Sequence, residues 1–158
     1  MEKLIAHFYE SFANLHAEEM AKCYHNEVVF EDPAFGVLKG ERARNMWRML
    51  CESQQDKGMK ITYSGIKANE TQGEAQWTAL YTFSKTGRFV KNKIHARFEF
   101  KDGLIIKHTD HFNLYSWSGQ ALGIPGYFIG WTDYFKKKLQ AQTNNMLNKY
   151  EQKRLSEK

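Results

Sequence analysis

The chain has 158 residues, 42% apolar and 26% charged, which suits one globular domain with a single core. Its formal charge of +5 resides in residues 136–158, where Lys136, Lys137, Lys138, Lys149, Lys153, Arg154 and Lys158 face only Glu151 and Glu157. The rest of the chain is neutral, which argues against a broad nucleic-acid surface. Cys23 and Cys51, the two cysteines, have neither metal spacing nor a disulfide framework and read as reduced thiols.

Residues 2–15 place Leu4, Ile5, Phe8, Tyr9, Phe12 and Leu15 three and four apart, the period of an amphipathic helix. Asn14-Leu15-His16 breaks it, and Ala17 to Tyr24 reads as a second, short helix. Glu27 to Phe30 reads as a short strand, ended by Glu31-Asp32-Pro33, because a proline biases the residue before it toward extended geometry. Gly36 and Gly40 bound a loop, and residues 41–54 form a third helix with Ala43, Met46, Trp47 and Leu50 inward.

The period then changes to two. Residues 60–69, 73–84, 89–101 and 104–115 read as four strands joined by short turns, hence an antiparallel meander. Ala75, Trp77, Ala79, Tyr81 and Phe83 share one face of the second of these strands. Ile94, Ala96, Phe98 and Phe100 share one face of the third. An apolar sheet face must be covered, and three helices precede it. The predicted fold is therefore α+β: a strongly curved, cone-shaped antiparallel sheet under N-terminal helices, over residues 1–115. Residues 116–158 are a glycine-rich connection and a basic C-terminal helix, from Trp131 to Leu155, with Trp131, Phe135, Leu139, Met146 and Tyr150 as its apolar stripe. The apolar face of that helix is thin for a membrane surface.

The chemistry-bearing candidates follow from this placement. The last strand runs Leu104, Ile106, His108, Asp110, Phe112, Leu114 on its apolar face. A carboxylate there is costly unless paired or protonated, so Asp110 is either functional or a hydrogen-bonded structural group. His108 is placed to pair with it, while His95 and His111 face away. Asp32, stiffened by Pro33, is either a second acid or base or a turn residue. Tyr9 and Tyr24 are hydroxyl donors or core tyrosines. Aromatic residues make up 15% of the chain, more ring surface than a minimal core needs. They either fill the core or line a ligand pocket, with Tyr9, Tyr24, Trp47, Trp77, Tyr81, Phe98 and Phe112 as wall residues. No phosphate loop, metal-ligand cluster or nucleophile signature is present, so neither metal nor cofactor is expected. MEKLIAHFYESF lacks an apolar signal core, and no stretch reaches the ~18 apolar residues of a membrane span, so a cytoplasmic protein without a membrane partner is expected.

Tyr24-His25-Asn26-Glu27-Val28-Val29-Phe30-Glu31-Asp32-Pro33, then Lys39-Gly40 before a helix, then Asp102-Gly103-Leu104-Ile105 and His108-Thr109-Asp110-His111-Phe112, resemble the nuclear transport factor 2-like superfamily. Within it the chain is most similar to the SnoaL-like and ketosteroid isomerase-like branch. The resemblance covers residues 1–115 and implies the cone. It places Asp32 where ketosteroid isomerases hold their general base, but puts Phe8 and Ala96 where their oxyanion tyrosine and protonated acid stand. It places Asp110 at the catalytic aspartate of SnoaL-like cyclases and limonene epoxide hydrolases, with Trp77 and Ala79 at the hydrolases' Arg and second Asp. Steroid isomerisation and epoxide hydrolysis therefore lack their groups, whereas cyclase-like proton abstraction keeps its base. The expected activity is binding and transformation of a small hydrophobic carbonyl compound by Asp110, Asp32 and His108. The alternative is a non-catalytic ligand-binding or dimerising module. A homodimer is expected, since open curved sheets with an exposed convex face commonly pair.

Overall fold

The computed structural model describes residues 1–157; Lys158, counted above in the basic tail, lies outside them. The elements in chain order are α1 (Glu2–Ala13), α2 (Ala17–Lys22), β1 (Tyr24–Asp32), β2 (Gly36–Lys39), α3 (Glu41–Ser53) and β3 (Lys60–Ala68). They continue with β4 (Gln72–Phe83), β5 (Arg88–Lys101), β6 (Leu104–His111), α4 (Leu114–Leu122), α5 (Ile124–Ile129) and α6 (Asp133–Ser156). One open six-stranded sheet runs β2-β1-β6-β5-β4-β3. All its pairs are antiparallel except β1 with β6, and that parallel pair joins the N-terminal hairpin to the meander.

Period-two alternation decides the concave face. Ala75, Trp77 and Ala79 of β4 and Ile94, Ala96, Phe98 and Phe100 of β5 are buried, and α1 covers them with Ile5, Phe8, Tyr9 and Phe12. At Gly73 the helix lies so close that an added Cβ would stand 2.9 Å from the Ile5 side chain. The result is the α+β cone, with the main core at its narrow end and helices across it.

Four differences from the sequence expectation bear on the site. First, β1 begins at Tyr24, and Gly36–Lys39 is a strand where a loop was expected; it pairs back on β1 through the Pro33–Phe35 turn. Second, the register shifts between Glu99 and Phe100, which pair with Lys107 and Ile105, so Ile106 is the extra residue of a bulge and Ile105 takes the core place expected for it. Past the bulge the inward set resumes as His108 and Asp110.

Third, β6 ends at His111 rather than at Tyr115, and two helices, from Leu114 to Leu122 and from Ile124 to Ile129, stand where the end of that strand and a glycine-rich connection were expected. The glycines serve close packing: a Cβ on Gly126 would stand 2.0 Å from the Ser118 carbonyl oxygen. Fourth, α6 packs on a different stripe. Phe135 and Leu147 are buried, Leu139 and Tyr150 pack against the cores, and Trp131 and Met146 are exposed.

Polar residues set that orientation of α6. Gln140 Nε2, Thr143 Oγ1 and Asn144 Nδ2 donate to the carbonyls of Pro33, Ala34 and Phe35 at 3.2, 2.8 and 2.8 Å. Glu151 pairs with Arg42 and accepts from Asn45 on α3. The C-terminal helix thus lies over the mouth of the cone, anchored to the turn after Asp32. Among the described residues no helix is long and apolar enough to cross a membrane.

Candidate active site

Between the concave sheet, α3, α4 and α6 lies a cavity of about 310 Å³. Trp47, Trp77, Tyr81, Phe112 and Trp117 are among its rings. Four of the six methionines, Met46, Met49, Met59 and Met146, also line it. Unbranched thioether chains adapt to irregular shapes, so the wall can conform to its occupant. Asp32 and Asp110 are its carboxylates, entering from β1 and β6. A wider groove of about 820 Å³ runs over the outer face of the sheet, but its lining of Lys67, Glu74, Arg97, Glu99 and Lys107 mixes opposite exposed charges without a buried convergent group.

Asp110 is held by two donors on one oxygen. Trp77 Nε1–H reaches Oδ1 at 3.2 Å, and His108 Nε2 lies 3.0 Å from the same oxygen. His108 is fully buried; its Nδ1 is 2.7 Å from the Tyr24 hydroxyl, which in turn accepts from Trp47 Nε1–H at 2.8 Å. The indole can only donate, so the Tyr24 hydrogen is free to go to Nδ1, and the Nε2–H tautomer then donates to Asp110. No fully buried side-chain polar atom of the Trp47–Tyr24–His108–Asp110 chain is left without a partner under that one assignment. Burial pushes the Tyr24 hydroxyl well above its usual pKa, against the Trp47 hydrogen bond, so it stays neutral. Among the described residues, Oδ2 of Asp110 takes no hydrogen bond, and it is left to the cavity.

Asp32 is oriented differently. Its Oδ1 accepts from the Phe35 N–H at 2.6 Å across the turn, so it is at once a turn residue and a wall residue of the cavity. Burial pushes its carboxyl up to about 7, with the Asp110 charge adding to the rise and the turn amides opposing it. A group at that value changes protonation at neutral pH.

The other expected wall residues divide. Trp47, Trp77, Tyr81 and Phe112 line the cavity, whereas Tyr9, Tyr24 and Phe98 lie beneath it in the packed aromatic core. They are displaced because α1 presses into the narrow end of the cone, where Tyr9 meets Trp77 and Phe98, and Phe98 lies 4.4 Å from His108, ring centre to ring centre. The Tyr9 hydroxyl is the one buried side-chain polar atom without a partner among the described residues, and burial, then the Asp110 charge, raise its pKa strongly. Trp117, Leu139 and Thr143 were not foreseen as wall residues. Trp117 donates to the Tyr81 hydroxyl at 2.8 Å, leaving the Tyr81 hydrogen free. The methionine content was the available signal for an adaptable wall.

Residues 5–108 match the SnoaL-like domain, and the chain belongs to that family. The match includes Asp32 and His108 and stops just short of Asp110. Among solved structures, the chain is similar to a proposed polyketide cyclase from Xanthomonas campestris pv. campestris, at 20% identity, over 75% of this chain and 94% of that one, with a TM-score of 0.61. It is similar to an LEH-like epoxide hydrolase from M. tuberculosis, at 18% identity, over 80% and 93%, with a TM-score of 0.61. TerC, co-crystallised with polyporic acid, aligns at 15% identity over 76% and 96%, with a TM-score of 0.64. At these identities the likeness is one of fold. No curated protein matches the chain.

Proposed function

We propose that the chain binds a small hydrophobic carbonyl compound in this cavity and shifts a proton at the carbon beside the carbonyl, as an isomerase- or cyclase-like enzyme. The observation that carries this reading is the pair of carboxyls, Asp32 and Asp110, in one ring-rich cavity, with Asp32 pushed up to about 7. Asp110, fixed on Oδ1 by Trp77 and His108, offers Oδ2 as the base. The C–H bond breaks, its proton goes to Oδ2, and the electron pair moves into the carbonyl to form an enolate. Such a charge needs a donor, and Phe8 and Ala96 supply none. Asp32 in its protonated form supplies one, since a carboxylic acid kept neutral by burial donates a hydrogen bond to the developing oxyanion. Returning the proton to another carbon completes isomerisation; attack of the enolate on a second carbonyl completes cyclisation.

The test is exchange of α-protons for deuterium in a panel of hydrophobic ketones, followed by NMR in D₂O with full-length protein. Exchange above the buffer background is expected, abolished in Asp110→Asn and falling as pH rises through about 7 where Asp32 loses its proton. Asp32→Asn keeps a donor and is expected to retain partial exchange without that falling limb. Saturable binding of a ketone with no exchange would refute catalysis and leave the ring- and methionine-rich cavity as a ligand-binding module.

A further inference from the structure

The block formed by α4, α5 and the start of α6 has two sides of opposite character. Its inner side, through Trp117 and Leu139, walls the cavity. Its outer side presents Ile124, Tyr127, Phe128, Ile129, Trp131 and Tyr134 to solvent; Ile124 and Phe128 are 74% exposed, and Trp131 and Tyr134 73%. Scattered apolar side chains at a surface are ordinary, but six within eleven consecutive residues form a patch that marks an interaction site. The presentation is rigid. Gly119 lies under the Tyr127 ring, and an added Cβ on Gly130 would overlap the Ser118 hydroxyl at 1.7 Å, so α5 is clamped to α4 with its rings outward.

The patch is flanked by positive charge on both sides. Thr86 Oγ1 donates to the Ala121 carbonyl and Arg88 Nε to the Gln120 carbonyl, which sets the β4–β5 turn, with Lys85, Arg88 and Lys91, beside the α4–α5 joint. On the other side Lys136, Lys137 and Lys138 are all exposed, with Lys138 Nζ 5.9 Å from the centre of the Tyr134 ring. The acidic residue of residues 111–140 in this outer block is Asp133.

We propose that this face docks on an anionic lipid bilayer, with α5 and Trp131 entering the headgroup region and the lysines holding acidic headgroups. Tyrosine and tryptophan prefer that interface, isoleucine and phenylalanine gain by reaching the acyl boundary, and each lysine is drawn by the surface potential. A second copy of the chain is disfavoured as the occupant, because a two-fold interface would bring both basic flanks against themselves. A single-stranded nucleic acid would use the rings but would gain little from the exposed Ile124 and Ile129. This docking goes beyond the proposed chemistry and stands without it.

The experiment is co-sedimentation of the full chain with sucrose-loaded vesicles of phosphatidylcholine alone, and of equal parts phosphatidylcholine and phosphatidylglycerol. Binding to the mixed vesicles is expected, weakened by salt and weak on phosphatidylcholine. Trp131 fluorescence should shift to the blue, a shift missing in Trp131→Phe, since Trp47, Trp77 and Trp117 are already buried. The triple variant Lys136→Gln, Lys137→Gln, Lys138→Gln should bind roughly 100-fold more weakly, from about fivefold per lysine charge removed near an anionic surface. Phe128→Ser should weaken binding to both kinds of vesicle, and its exposure makes it harmless to the fold. No sedimentation above the vesicle-free control would overturn the proposal. So would light scattering that shows a dimer made monomeric by Phe128→Ser.

Discussion

Tyr24→Phe removes one oxygen from the middle of the buried chain Trp47–Tyr24–His108–Asp110 and changes little else. The Trp47 N–H loses its acceptor at 2.8 Å and His108 Nδ1 loses its partner at 2.7 Å, with Trp47 2% exposed and His108 not at all. An orphaned buried group costs about 1–3 kcal/mol, and deleting the hydroxyl recovers the cost of burying it, so the net loss should be about 2–3 kcal/mol. That is a large share of the about 5–15 kcal/mol by which domains are stable. Urea unfolding followed by circular dichroism should show a lower midpoint with an unchanged slope. Trp47→Phe should cost less in the Tyr24→Phe background than in the parent, because its N–H is already unpartnered there, with a coupling of about 1 kcal/mol. A loss under about 0.5 kcal/mol, or a strictly additive pair, would show that the hydroxyl is not the hub of the chain.

Asp32 holds its proton up to about 7 when folded, above an ordinary carboxyl, so the folded state binds the proton more tightly than the unfolded one. Stability therefore falls as pH rises from the ordinary carboxylate range to about 7, and Asp32→Asn should melt higher than the parent at pH 8 and no higher at pH 4; equal gains at both would contradict this. Neighbours on α6 should part company: Leu147→Ala, fully buried, should cost about 2–5 kcal/mol in urea unfolding, whereas Met146→Ala, half-exposed at the cavity, should cost under about 1 kcal/mol. Truncation after residue 130 removes the helix that lies over the mouth, so binding of a fluorescent naphthalene dye should rise; unchanged dye binding would mean that α6 does not cover the cavity.

The sheet was legible because its signal is local: Trp77 and Ala79, or Ile94, Ala96 and Phe98, announce their face within one strand. The same alternation brought His108 and Asp110 together. The bulge was not legible, since Ile105 and Ile106 are the same residue and no pattern says which one the sheet buries. The inward face of α6 was missed for a different reason. Gln140, Thr143 and Asn144 are polar and would ordinarily face solvent, but they meet the carbonyls of a turn more than 100 residues away. Gly119, Gly126 and Gly130 read as breakers, and in space they are contact points between helices. Asp32 left a choice between turn and pocket that the structure dissolves, because one carboxyl oxygen can close the turn while the residue still faces the chamber.

The three bonds from α6 to Pro33, Ala34 and Phe35 make the helix and the turn that carries Asp32 one mechanical piece. The helix also helps to exclude the water whose absence raises the Asp32 carboxyl. Motion of α6 and the charge of Asp32 are consequently linked variables. Lifting the helix hydrates the carboxyl and lets it return toward its ordinary value, so at neutral pH opening releases a proton and closing takes one up. Acidification would favour the covered state without any contact between solvent protons and the ligand.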